Sequence, residues 1–456
     1  VAGLTAPLRQ AAEPAPPRAA DEAARGIGLF TALSVLVSNM IGTGVFTSLG
    51  FQVAGTHTGF ALLALWAVGG VVALCGSLAY AELGTALPRS GGEYVYLGRI
   101  YHPLVGFLGG WVSMTVGFAA PIALAGIAFG RYLGALVALP PLAGSLVVLA
   151  IVVTIHVSDL RLARRFQVAV TTLELVLITG FVVAGLRYPR PEPISFAPTT
   201  AALGEMVAPS FAVSLIYVSY AFSGWNAAGY VAGEISRPQQ VIPRALAAGT
   251  AVVTLFYLLL NWTFLRTVSL GDLAGTVEVG ALSATRMFGP VGGALMSAVI
   301  AALLVATISA MVLAGSRVTQ AVFADLPTLD VLGKRAENGV PRNAILVQLA
   351  LILGLLLSGS FERVMAYAGF TLNLMTLLTV TGLYLLRRRE PDLARPYLVW
   401  GYPVTPLIFV LVSLWTLGFV LAERPLESVA GLGTLVLGTA IYLAAHRAGR
   451  RQRRGR

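Results

Sequence analysis

The chain is a succession of apolar runs, most of them close to 20 residues long and almost free of charge, separated by short polar stretches. A helix needs about 20 apolar residues to cross the hydrocarbon core of a bilayer. Inside hydrocarbon every backbone N–H and C=O must be satisfied within its own segment, so helices are the reading for runs of this kind. A barrel would need alternating segments of about ten residues, and none is present. Twelve runs qualify: 27–50, 60–86, 104–130, 142–158, 167–186, 209–233, 245–266, 290–316, 343–358, 363–386, 403–421 and 428–446. The ninth is the shortest. Only 11% of the 456 residues are charged, against about 25% in a soluble chain. A water-exposed surface of this size cannot be made from so few charges, so the expected solvent is lipid.

The loops test the count. With the N-terminus in the cytoplasm, 24 of the 31 lysines and arginines fall on the cytoplasmic side, as positive-inside orientation requires. They include Arg161, Arg164 and Arg165, the run Arg387, Arg388 and Arg389, and six arginines from Arg447 to Arg456. A missing or extra span would scramble this alternation. Both termini are therefore expected inside, with the arginine clusters against anionic lipid. The net charge of +11 raises nucleic acid as a partner. The basic residues are spread between apolar runs instead of gathered on one element, and that excludes it. A single cysteine, Cys75, rules out an internal disulfide framework or cysteine-based metal site. Residues 1–26, rich in Ala and Pro with no apolar core, read as a disordered cytoplasmic tail without a signal peptide.

Two spans are interrupted at mid-depth. The first reads Ser38-Asn39-Met40-Ile41-Gly42-Thr43-Gly44, with two glycines around a threonine. The sixth reads Tyr220-Ala221-Phe222-Ser223-Gly224-Trp225-Asn226. Glycine permits non-helical dihedrals, and a broken helix in lipid must turn its freed backbone groups to a cavity or a ligand. The breaks open spans one and six. Residues 27–186 and 209–386 are then two five-helix repeats, followed by a pair of helices at 403–446 and a basic cytoplasmic tail at 447–456. Paired interrupted helices at matching places in two inverted halves mark the substrate site of a secondary transporter. Half-helix N-termini suit a carboxylate and unwound carbonyls suit an ammonium, so a zwitterionic amino acid fits both. The simpler alternative is that Gly-x-Gly only allows close helix packing.

Several stretches resemble the amino acid–polyamine–organocation (APC) superfamily. They are IGTGVF at 41–46, YAELGTALPRSGGEYVY at 80–96, and FSGWN at 222–226 followed by Gly233-Glu234, Arg237-Pro238 and Pro243-Arg244. Gly315-Ser316-Arg317 with Ala321 and Asp325, Arg395-Pro396-Tyr397 and Gly401-Tyr402-Pro403 complete the pattern. The resemblance implies an all-α membrane protein with ten helices in two inverted repeats, the leucine-transporter-type fold, plus two C-terminal helices. It implies that Gly42, Thr43 and Gly44 receive a substrate carboxylate. Carbonyls of Ala221, Phe222 and Ser223, with that of Ile41, would receive the amine, and Gly224 belongs to the same break. Trp225 would be a gate or pocket wall, or a packing residue. Where polyamine carriers of the family place an acid, this chain has Asn226, which leans toward neutral amino acids.

Many relatives carry a lysine in the fifth helix. The matching position here is Glu174, or Thr171 one turn earlier. An ionisable group at such depth is costly and points to function: a proton-coupling site, a partner for a cation, or a helix tie. A sodium site would draw on hydroxyls of the eighth helix, for which Thr307 and Ser309 are the candidates. Glu82 and Glu93 read as gate or loop structure, and His156 as interfacial. No HExxH, metal-ligand cluster or paired membrane aspartates are present, which argues against an intramembrane enzyme; no cofactor is expected. The expected function is amino-acid transport by proton symport or by exchange, in a bacterial inner membrane. A polyamine or other organic-cation carrier, or a non-transporting nutrient sensor, stands as the alternative.

Overall fold

The computed structural model describes residues 28–89, 91–158, 163–226, 235–324, 330–333, 341–358 and 360–454, including side chains except at 157–158, 163–171, 324, 330 and 449–454. The tail 1–26, Gly233, Glu234 and Asp325 lie outside the described residues.

Among the described residues the elements are helices: α1 Leu29–Met40, α2 Thr43–Thr47, α3 Leu49–Gln52, α4 Gly59–Ala86, α5 Glu93–Ile100 and α6 Pro103–Val112. A π-helical turn, Ser113–Phe118, joins α6 to α7, Ala119–Gly134. Then come α8 Pro141–Ser158, α9 Ala163–Leu186, α10 Thr200–Glu205 and α11 Pro209–Ala221, with a 3-10 turn at Ser223–Asn226. The remainder are α12 Pro238–Thr267, α13 Leu270–Leu273, α14 Val279–Ala324, α15 Asp330–Gly333, α16 Arg342–Ser358, α17 Phe361–Arg389, α18 Val404–Glu423 and α19 Pro425–Arg454. α14 is two helices meeting at Gly289 (φ 77°), just before Pro290, where the eighth span was expected to begin.

Eight of these helical stretches are long and apolar enough to cross a membrane, and three more, within α8, α9 and α16, are apolar but shorter. The sixth expected span is described as far as Asn226. Helix starts follow their local chemistry: Thr58, Thr199, Ser269 and Ser360 each accept a backbone N–H through the side chain at the head of α4, α10, α13 and α17. Helix contacts follow small residues. A Cβ at Gly106 of α6 would sit 2.6 Å from the Gly98 Cα of α5, a spacing open only to glycine. α1 and α4 pack against α12, α7 packs between α8 and α14, and α11 lies against α17 and α18.

The α17–α18 connector is tied to the end of α4 by one carboxylate. Glu82, with its side chain 1% exposed, accepts from Arg387 Nε (2.8 Å) and Nη2 (2.6 Å) and from the Val399 N–H (2.7 Å). The Arg387 guanidinium also stacks on Tyr402, 3.7 Å from the ring centre. Removing the sole partner of a buried charge costs about 3–5 kcal/mol; Arg395 Nε also stands 3.6 Å from the Glu82 carboxylate, so Arg387→Ala leaves one cationic neighbour and costs less than that range. Thermal unfolding in detergent is expected to show this loss for Arg387→Ala and no comparable loss for the exposed neighbour in Arg388→Ala.

Candidate functional site

Two helices stop inside the bundle. α1 ends at Met40, Ile41 (φ −73°, ψ 108°) and Gly42 (φ −157°, ψ −152°) are extended, and the helix resumes at Thr43. α11 ends at Ala221 and passes into the 3-10 turn. The breaks cross at backbone distance. A Cβ on Gly224 would lie 2.2 Å from the Asn39 carbonyl oxygen and 2.6 Å from the Met40 nitrogen. A Cβ on Gly44 would lie 2.6 Å from the Ala221 Cβ. Glycine is required at both places by this approach alone. The first N–H groups of the segment starting at Thr43, and the last C=O groups of α1 and α11, lack partners within their own helices.

These ends face a cavity of about 120 Å³. One water needs about 10–15 Å³ by such a measure, so the space is on the scale of a ligand of several heavy atoms. Ile41, Gly42, Thr43, Gly44, Ala221, Phe222, Ser223, Gly224, Trp225, Asn226 and Thr307 all line it. Gly42 differs from the other two glycines, because a Cβ built there meets no atom within 4 Å. Trp225 is both wall and packing residue: it borders the cavity and makes an edge contact with Tyr80, ring centres 4.6 Å apart. Among the described residues lining the cavity there is no Asp, Glu, Lys, Arg or His.

The ion-coupling candidates do not assemble there. Glu174 is buried but lines a separate, apolar pocket with Phe46, Phe181, Phe264, Met296 and Leu303. The Thr171 side chain lies outside the described residues. Thr307 reaches the cavity while its hydroxyl donates to the Leu303 carbonyl (3.1 Å). Ser309 turns to a buried histidine instead, 3.3 Å from His156 Nε2. The two hydroxyls proposed for sodium therefore point to different neighbours.

Other residues enter the site that the sequence reading passed over. The π turn brings Gly117 and Phe118 to the cavity, and α17 brings Asn373 and Thr376. Such turns recur at functional sites. Behind Asn226 and Thr376 stands Glu93, 2% exposed, which accepts from Tyr80 and lies within hydrogen-bonding reach of both cavity residues. Tyr257 of α12, fully buried, places its hydroxyl 2.5 Å from the Met40 carbonyl oxygen and 2.9 Å from that of Ala221. One of the carbonyls expected to serve the amine is thus already engaged.

A family model described as amino acid permease matches residues 27–438. The chain belongs to the amino acid permease family. The permease is 28% identical over 426 residues to the serine/threonine exchanger SteT of Bacillus subtilis, covering 91% of this chain and 95% of that one. It is 29% identical to the mouse Asc-type amino acid transporter 1, over 91% of this chain and 79% of the relative. The human cystine/glutamate transporter is 26% identical, over 92% and 84%. Membership makes the permease an integral membrane protein of the APC superfamily and a transporter instead of an enzyme.

Proposed function

We propose that this permease exchanges small neutral amino acids across the cell membrane by alternating access, with both termini on the cytoplasmic side and twelve spans. The observation that carries the reading is the absence of any Asp, Glu, Lys, Arg or His among the described residues lining a cavity formed by two helix breaks. The substrate carboxylate meets the N–H groups at Gly42, Thr43 and Gly44, and the ammonium meets carbonyls of Ile41, Phe222 and Ser223. Such a wall balances a zwitterion and offers neither a polyamine nor an acidic side chain a counter-charge at its surface; the carboxyl of Glu93 stands behind Asn226 and Thr376, where it accepts from Tyr80. The volume supports a small side chain, and the name of the Bacillus relative supports exchange. Position supports it too, since Glu174 lines a pocket apart from the cavity.

Uptake of a labelled amino-acid mixture into proteoliposomes tests this. Uptake is expected into vesicles loaded with unlabelled amino acid, to be near background in empty ones, and to be unchanged in Glu174→Gln. Proton symport is the second reading, favoured by the carboxyl of Glu174 buried at membrane depth. Uptake into empty vesicles driven by an inward proton gradient, and lost in Glu174→Gln, would replace exchange with symport.

A further inference from the structure

The cavity has one wall that neither helix break supplies. α18 buries Pro406, Phe409, Ser413, Thr416 and Val420, spaced three and four residues apart, and leaves Leu407, Leu411 and Leu414 exposed. That spacing puts one face of the helix into the bundle, and α18 packs against α4 and α11. Among the described residues of α18 and α19, Phe409 alone reaches the cavity. A notch in α4 holds its ring. A Cβ at Gly76 would lie 2.8 Å from Phe409 Cε2 and 2.9 Å from its Cδ2, and 3.0 Å from Trp225 Cζ2. Both rings therefore lean into the space that a side chain at position 76 would fill. Trp225 is backed further by the edge of Tyr80, and Phe409 is buried. Neither ring has room to retreat into α4 when a ligand arrives, so close packing makes this wall stiff.

Resting on the carrier reading above, we propose that Phe409 is a specificity-determining residue: its ring closes the cavity beside α4 and Trp225 and limits the substrate to amino acids with short side chains. In that reading the carboxylate and ammonium are held by backbone groups of the two breaks, which every amino acid satisfies alike. Only the walls tell one side chain from another, and they enclose about 120 Å³. Phe409 stands outside both breaks, so its removal leaves their backbone groups in place. The space of the ring then joins the cavity, and a branched side chain such as that of leucine enters where the ring stood.

The test measures initial rates of exchange in proteoliposomes loaded with unlabelled alanine, with labelled alanine or labelled leucine outside. The readout is the ratio of kcat/KM for leucine to that for alanine, in which the amount of folded protein cancels. The parent is expected to favour alanine. Phe409→Ala is expected to raise the ratio about tenfold, the lower end of what a hydrophobic wall gives for one methylene. Phe409→Leu, which removes less of the ring, is expected to raise it by a smaller step and decides the matter where the alanine form does not fold. A ring that only packs helices together would slow both substrates alike and leave the ratio where it was. An unchanged ratio in the folded variant, or a parent that takes leucine as readily as alanine, overturns the proposal while exchange itself stands. A parent protein that exchanges no amino acid removes the carrier reading and this role with it.

Discussion

Gly224→Ala is expected to leave almost no correctly folded permease. The added methyl would sit 2.2 Å from the Asn39 oxygen, 2.3 Å from the Asn39 carbonyl carbon and 2.6 Å from the Met40 nitrogen. All three are backbone atoms at the end of α1, so no rotamer change relieves the clash. Overpacking against side chains costs about 1–3 kcal/mol. Here two helix ends must separate, and the cost exceeds that range. Size-exclusion profiles and melting in detergent read the outcome directly. Wild-type yield and melting temperature for Gly224→Ala would show that the breaks do not cross as described.

Gly42→Leu should behave in the opposite way. No atom lies within 4 Å of a Cβ at Gly42, and the residue borders the cavity. Its backbone is extended and outside the left-handed region that favours glycine. The leucine side chain then has room to fold into place, and the room it takes belongs to the ligand. Folded protein is expected at parental yield and melting temperature, with binding weakened by at least about 100-fold, or roughly 3 kcal/mol. Retained uptake in Gly42→Leu would move the substrate elsewhere. The two glycines look alike in the sequence, and the pair of variants separates a packing glycine from a site glycine.

That contrast marks what the sequence made legible. The breaks themselves were readable because Gly42, Thr43, Gly44 and Ser223, Gly224 interrupt otherwise apolar spans at mid-depth, where an interruption has a physical cost. Every lining residue expected from them borders one cavity. Which way a helical face turns was not readable. The family resemblance singled out Glu174, and Ser309 was a candidate hydroxyl of the eighth span, but neither reading named the neighbour; they meet an apolar pocket and His156. Tyr257 was invisible for a different reason. It stands in the run FYLLLNW, where an aromatic residue reads as packing. Its importance comes from the crossing of two other helices that are distant in sequence. The π turn at Ser113–Phe118 likewise has no distinct residue pattern of its own.

The uncharged cavity wall has a consequence for energetics. A charge moved through the full membrane field gains about 2.3 kcal/mol per 100 mV. A zwitterion carried between two helix ends, past a wall without ionisable side chains, moves no net charge in either direction. Under the proposed exchange of one zwitterion for another the cycle is electrically silent: membrane voltage neither drives nor brakes it, and the amino-acid pools on the two sides set which substrate enters and which leaves.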